Sequence, residues 1–246
     1  MRFGLCCGLG EADGALEAGF DYVELPAQQL LANEPEFVRL RPEATNLFFP
    51  GTIKLFGPEK TPYLDYAREV IERAARVGVS VMVVGSGGSR RAPEGVAPAD
   101  AEAQFARVAA ELAEIAEPLG IQIAPESLNR SETNVGNNLG KFAQSLRDLG
   151  VGYTADSYHV ISEWVFDGNE PAAPLEHWRD QVPYLPTHVH FGDRARVDPT
   201  PGDPDVELFV QRLKELGYDG RVSLECKRRS PGDLARALRD CKQLFA

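Results

Sequence analysis

The sequence predicts an α/β fold, a single-domain (β/α)8 TIM barrel over residues 1–246, from three observations. The chain has 246 residues, and α/β barrels of roughly 250 residues routinely form one domain. A helical pattern that ends in Gly and gives way to a short apolar run recurs along the chain. Those apolar runs lack strict alternation, as parallel strands covered on both faces do.

The Gly-ended rhythm appears in AGFDYVEL (Gly19), VGVSVMVV (Gly78), LGIQIAPE (Gly120), LGVGYTAD (Gly150) and LGYDGRVSLE (Gly217). A helix C-terminus favours Gly in the left-handed conformation, so each Gly marks a helix stop just ahead of a strand. Strands are predicted near residues 2–7, 21–25, 44–48, 80–85, 121–125, 151–155, 186–191 and 221–225. Helical spacing joins Leu64, Ala67, Val70, Ile71 and Ala74 within residues 62–77. It also joins Phe105, Val108, Leu112 and Ile115 within residues 101–118. Further helices fit residues 140–148, 205–216 and 232–244. Eight strands alternating with helices suit a barrel or a doubly wound sheet. The Gly- and Pro-rich stretch Gly85–Pro98 follows the fourth strand and is read as a long βα loop rather than a linker.

A net charge of −11 and a pI near 4.9 argue against a nucleic-acid partner and against an anionic membrane surface. Four cysteines, Cys6, Cys7, Cys226 and Cys241, form no CxxC pair. Neither a disulfide framework nor a thiolate zinc site is suggested, and free thiols point to a reducing, cytoplasmic location. The start MRFGLCCGLG lacks the basic region and apolar stretch of a signal peptide. No apolar run is long enough to cross a bilayer.

Acids and histidines close the strands. IQIAPE ends at Glu126, VGYTAD at Asp156, THVH at His190 and RVSLE at Glu225. A charged residue closing a buried strand is costly unless paired or metal-bound. In a barrel all strand C-termini open onto one mouth, so these four become neighbours. Each has an ordinary alternative when taken alone. Glu225 could pair with Lys227 or Arg228, Asp156 could cap the next helix, and His190 could be a satisfied core histidine. Four such residues on four consecutive strands favour a site instead. Three carboxylates and one imidazole suit one divalent ion, Mn²⁺, Mg²⁺, Co²⁺ or Zn²⁺.

The neighbours add His159 one turn beyond Asp156, Asn129, Arg130 and Glu132 after the fifth strand, and Asp193 and Arg196 after the seventh. Alternation puts His188 on the same side as His190, as a second ligand or, preferably, as a layer residue below the metal. Further pocket candidates are Cys6, Glu24 and Asn46. Cys6 could line the floor or pack in the core. Glu24 could hydrogen-bond a substrate hydroxyl or pair with the loop arginines. Gly85–Ser89 with Arg90 and Arg91 could cradle a phosphate, but lacks a P-loop lysine and is better read as a lid or turn.

ESLNRSE, DSYH, HVHFGDRAR and GYDGRVSLE together resemble the xylose isomerase-like barrel superfamily, in particular its sugar isomerase/epimerase group with the D-tagatose and D-psicose 3-epimerases. The resemblance runs from the first strand to the last helix. It implies that Glu126, Asp156, His190 and Glu225 bind the metal and that Glu126 and Glu225 double as the acid/base pair. It implies that Glu132, His159 and Arg196 hold carbonyl and hydroxyl oxygens of a small carbohydrate substrate, and it allows a homo-oligomer. The chain departs from the epimerases in being shorter, in Cys226-Lys227-Arg228 after the last strand, in the Gly85–Arg91 loop and in NLFFPG at Asn46.

The implied reaction removes a proton next to a carbonyl through an enediolate, with a carboxylate on each face. Return of the proton to the opposite face inverts the centre, and return to the neighbouring carbon gives an aldose–ketose isomer. The alternatives are an inosose dehydratase-like lyase on the same scaffold, an endonuclease IV-like repair enzyme and a non-catalytic sugar-binding barrel. The endonuclease needs more histidines than the four present here, His159, His177, His188 and His190. The full acid set argues against mere binding.

Overall fold

A run such as Val81–Val84 (VMVV), buried at every position, has no polar face to give to water and is stable only with cover on both sides. A closed parallel sheet supplies that cover. The computed structural model describes residues 1–57, 61–170, 172–227 and 233–246. In chain order the elements are β1 (Arg2–Cys6), α1 (Ala12–Glu17), β2 (Tyr22–Pro26), α2 (Leu30–Leu40), β3 (Ala44–Asn46) and α3 (Leu64–Val77). Then come β4 (Val81–Val84), α4 (Pro98–Ala116), β5 (Gln122–Pro125), α5 (Leu139–Arg147), β6 (Thr154–Asp156) and α6 (Ser157–Phe166). Last are α7 (Leu175–Gln181), β7 (His188–Phe191), α8 (Pro204–Glu215), β8 (Arg221–Leu224) and α9 (Leu234–Phe245). No helix among the described residues is long and apolar enough to cross a membrane.

The strands pair in parallel in the order β5-β4-β3-β2-β1-β8-β7-β6. The remaining seam closes where Glu126 bridges Thr154, with the Thr154 hydroxyl donating to the Ala124 carbonyl at 2.9 Å. The barrel is thus nearly continuous, as the sequence predicts. The five stop glycines Gly19, Gly78, Gly120, Gly150 and Gly217 all have φ between 70° and 96°. At Gly78 the reversal lets its N–H reach the Ala75 carbonyl at 3.2 Å and that of Val79 reach Ala74 at 3.0 Å, closing the α3 terminus before β4.

Four helices lie outside the predicted set: α1, α2, α6 and α7. In α2 the pattern is interrupted by Pro35 inside the helix and by Asn33, whose φ of −135° departs from helical geometry. The short α7 has only 7 residues, too few for a period to stand out. α6 follows Asp156 directly, so strand and helix share one apolar stretch. The first residue predicted for the last helix, Gly232, lies outside the described residues.

Period-2 alternation sorts the barrel interior into layers. Tyr22, Ala44, Val81 and Ala124 make a small apolar cluster inside, separate from the large core between sheet and helices. Two residues further on, the same strand faces carry Glu24, Asn46, Val83 and Glu126. The interior therefore changes from apolar floor to polar mouth within one pleat. Gly4 makes room for this floor, since a Cβ there would lie 2.2 Å from the Tyr22 ring.

Helix glycines usually cost stability relative to Ala, but Gly140 in α5 is set by packing. A Cβ there would lie 2.1 Å from the backbone oxygen of Asp180 in α7. Gly140→Ala is expected to destabilise the protein by about 2–3 kcal/mol despite its better helix propensity. A urea midpoint equal to or above wild type would refute this.

Candidate metal centre and active site

Glu126, Asp156, His190 and Glu225 meet at the strand C-termini, though no two come from the same element. The β6–β7 register sets Asp156 beside His190. The Glu225 N–H donates to the Phe191 carbonyl at 3.1 Å and that of Glu126 donates to the Val84 carbonyl at 3.2 Å, which holds both glutamates just past their strand ends. His190 Nδ1 then lies 2.7 Å from Glu126 Oε1, 3.6 Å from Glu225 Oε2 and 3.8 Å from Asp156 Oδ2. His190 is fully buried, and Glu126 and Asp156 nearly so.

Three carboxylates against one imidazole give opposed electrostatics. Burial would push Glu225 up, but the charges of His190 and then Arg196 hold it down at about 2. Burial and the neighbouring Glu126 and Glu225 charges push Asp156 well above the usual carboxylate range. Burial disfavours the His190 cation, yet Glu24, Cys6, Glu126 and Glu225 raise its pKa well above normal. Both shifts favour the protonated forms in the absence of metal, with a proton on Asp156 and a second one on the His190 ring. A divalent ion would replace both protons, and oxygen donors with one imidazole suit it.

His159 is the second imidazole. One ligand atom each from Glu126, Asp156, His159 and Glu225 fall within 4.8 Å of one another. Asp156 both faces the cluster and caps α6, accepting the His159 N–H at 2.9 Å. Its ordinary reading and its site reading hold together. His159 Nδ1 accepts the Asn129 N–H at 3.1 Å, so the neutral ring carries its hydrogen on Nε2. That Nε2 is buried without a partner. It is a free donor beside the carboxylates, suited to a substrate oxygen.

Burial lowers the His159 pKa from 6.5 to about 4. As pH falls through that window the unfolded chain binds the proton first. His159 therefore contributes stability that is full above about 6.5 and lost as pH falls to about 4. Chelator-treated His159→Asn protein should lose this acid-side slope, on the order of 3 kcal/mol. Parallel pH–stability curves for the two proteins would refute it.

Arg196, at φ 57°, donates to Glu132 Oε1 at 3.1 Å and to Glu225 Oε2 at 2.9 Å, with its guanidinium 4.8 Å from the Tyr158 ring centroid. Glu225 is thus paired with Arg196; Arg228, one of the two partners considered for it, lies outside the described residues. Burial raises the Glu132 pKa above normal. Besides Arg196, Leu47 and Ser86 also carry positive φ, at 45° and 47°, so much of the backbone strain outside glycines sits in loops at the mouth.

Glu24 is wholly buried against His188 Nε2 at 2.8 Å and His190 Nε2 at 2.8 Å. His188 lies below the cluster as a layer residue, not among the converging atoms. Cys6 Sγ packs 3.8 Å from His190 Nε2. Asn46 is buried, and its Oδ1 has no partner.

Arg90, Arg91 and Gly85, on a stretch that reads in sequence as a lid or turn, support this site. Arg90 is fully buried, donates to the Glu126 carbonyl at 2.6 Å and lies 4.6 Å from the Phe105 ring centroid. Arg91 donates to the Glu132 carbonyl at 3.1 Å. The two arginines therefore brace the loop after β5. Gly85 itself leaves space for Glu126, whose Oε2 would be 2.5 Å from a Cβ at that position. An arginine pair on a Gly-rich loop is the sequence signal for Arg90; nothing local distinguishes Gly85.

Comparison with known proteins bears on the fold that carries this site. Over 140 residues the chain is 30% identical to a ketose 3-epimerase of Arthrobacter globiformis, covering 55% of this chain and 46% of that relative, so the match spans less than half of that protein. The crystal structure of a D-psicose 3-epimerase in the presence of D-fructose superposes with a TM-score of 0.81 at 17% identity, covering 100% of this chain and 99% of that one. That of the 3-keto-D-glucoside 4-epimerase from E. coli gives 0.76 at 20% identity, with 99% of each chain covered. At these identities the two structures establish the fold. Residues 12–243 match the xylose isomerase-like TIM barrel family, and the chain belongs to it.

Proposed function

We propose that residues 1–246 act as one domain, a divalent-metal-dependent sugar isomerase or epimerase that moves a proton next to a carbonyl. The observation that carries this reading is the approach of Glu126, Asp156 and Glu225 to the single nitrogen His190 Nδ1, within 3.8 Å. The similarity to a ketose 3-epimerase supports a ketose as substrate class. One ion of Mn²⁺, Mg²⁺, Co²⁺ or Zn²⁺, held by Glu126, Asp156, His190 and Glu225, supplies Lewis-acid polarisation of the substrate oxygens.

The chain's own residues do the rest. Glu126 and Glu225 lie on opposite sides of the seam, one after β5 and one after β8. One removes the carbon-bound proton and the other delivers a proton to the opposite face, which inverts that centre. Arg196 and the His159 Nε2–H bind the oxygen that becomes anionic, and Glu132 receives a substrate hydroxyl. Burial keeps His159 neutral, so it donates a hydrogen bond without surrendering its proton.

Small ketoses, aldoses and inososes should be incubated with the Mn²⁺-loaded protein in deuterated water and read by NMR. Deuterium at one carbon beside the carbonyl, with the inverted or isomerised sugar, is expected for at least one ketose. Absence of exchange across the set would sink the reading, and an unsaturated product would replace it with a lyase.

A further inference from the structure

Glu24 is a carboxylate sealed inside the barrel, with neither arginine nor lysine among its hydrogen-bond partners in the described residues. Such a charge is tolerated only when its oxygens are satisfied. Oε1 is 2.8 Å from His190 Nε2. Oε2 is 2.8 Å from His188 Nε2 and accepts the Ser223 hydroxyl at 2.6 Å. Because Ser223 donates its hydrogen to Glu24, the Tyr22 hydroxyl, 2.8 Å away, donates to Ser223 Oγ. The chain Tyr22–Ser223–Glu24–His190 runs from the apolar floor to the site. Its members sit on β2, β8 and β7, and the β7–β8 register pairs His190 with Ser223 directly.

An ionised carboxylate only accepts, so Nε2 of His190 must hold its hydrogen on the Glu24 side. Nδ1, the nitrogen facing Glu126, Asp156 and Glu225, is then the one that gives up its proton and offers a lone pair to an incoming ion. Without Glu24, the other neighbour placed beside Nε2 is the Cys6 thiol at 3.8 Å, a weak partner. The ring would then favour the opposite tautomer, with Nδ1–H donated to Glu126 across 2.7 Å, and that hydrogen would occupy the position a metal needs. Two contacts on one edge also fix the plane of the ring.

We propose that Glu24 is the positioning residue of this centre, a buried carboxylate that sets the tautomer and orientation of His190 so that Nδ1 faces a divalent ion. It rests on the metal-site part of the proposed function, and not on which sugar reacts. His188 and Ser223 hold Glu24 itself, which gives a use to the second histidine of the HVH strand.

Glu24→Gln keeps the shape and removes the charge. Calorimetric titration of the metal-free protein with Zn²⁺ alone should show affinity reduced about 10- to 100-fold. Ser223→Ala, which leaves the Glu24–His190 contact, should reduce it less. In ¹⁵N-histidine NMR of the Zn²⁺-loaded wild type, His190 should be protonated at Nε2 and metal-bound at Nδ1, and Glu24→Gln should shift that pattern. A purely structural role would lower the thermal midpoint without moving the tautomer or the affinity. Unchanged affinity in Glu24→Gln, or zinc on Nε2 in wild type, overturns the proposal. The wild-type spectrum decides even if the variant fails to fold. If no sugar exchanges but Glu24→Gln weakens zinc binding, the functional reading fails and this one stands. If sugars exchange and zinc affinity is unaffected, the reverse holds.

Discussion

Glu225→Gln is expected to reduce carbon-bound proton exchange by about 10³-fold or more, within the range general-base removal produces. The amide preserves volume and an acceptor for Arg196, now 2.9 Å from Oε2, so the barrel should fold normally. What is lost is the carboxylate that His190 and Arg196, against the cost of burial, keep ionised down to about 2. That low value makes Glu225 a group that is always ready to accept a proton at neutral pH, though a weak base by itself. The check is the rate of deuterium uptake by NMR alongside the urea midpoint. A variant exchanging at a rate comparable to wild type would remove Glu225 from the proton path, and a collapsed midpoint would call for Glu225→Asp instead.

Removing divalent ions should abolish exchange and lower stability together. Ions that bind only the folded protein at 100 times their dissociation constant add about 2.7 kcal/mol, and that increment should disappear on chelation and return with Mn²⁺ or Co²⁺. Binding should also release protons. Burial and the adjacent Glu126 and Glu225 charges raise the Asp156 pKa above the usual carboxylate range, and Glu24 and the site carboxylates raise that of His190 against the cost of burial. Both must lose a proton for ligation, so affinity rises with pH up to the raised values and falls as pH drops below them. Calorimetry in two buffers of different ionisation enthalpy measures the release. Full exchange in chelated protein, or ion binding without proton release, would contradict the assignment.

Strand positions were largely legible because parallel strands leave a double signal, an apolar run and the Gly that stops the preceding helix. Val81–Val84 and Gln122–Pro125 fall inside the predicted runs, each a few residues after its Gly. Helix α2 was not legible, since Pro35 and the break at Asn33 erase its period while packing still holds it. The converging tetrad was legible for a different reason. Strand ends in a barrel share one mouth, so the topology converts sequence endings into spatial neighbours without any need to know side-chain rotamers.

The support of that tetrad was not legible. Whether Glu24 faced a sugar or a histidine depended on the stagger between β2 and β7, strands 164 residues apart at the contact. The stretch holding Arg90 reads in sequence as a lid or turn, whereas its guanidinium lies under the Glu126 carbonyl, and Gly85 has no side chain to advertise the space it leaves. The sequence by itself determined the barrel, its strand order of chemistry and the four residues at its mouth, because these follow from local periodicity and chain connectivity. Only the tertiary structure decided which nitrogen of His190 faces the acids, which acid lies beneath it and which arginine holds Glu225. Those depend on hydrogen bonds of about 3 Å, a scale at which a shift of one pleat changes every partner.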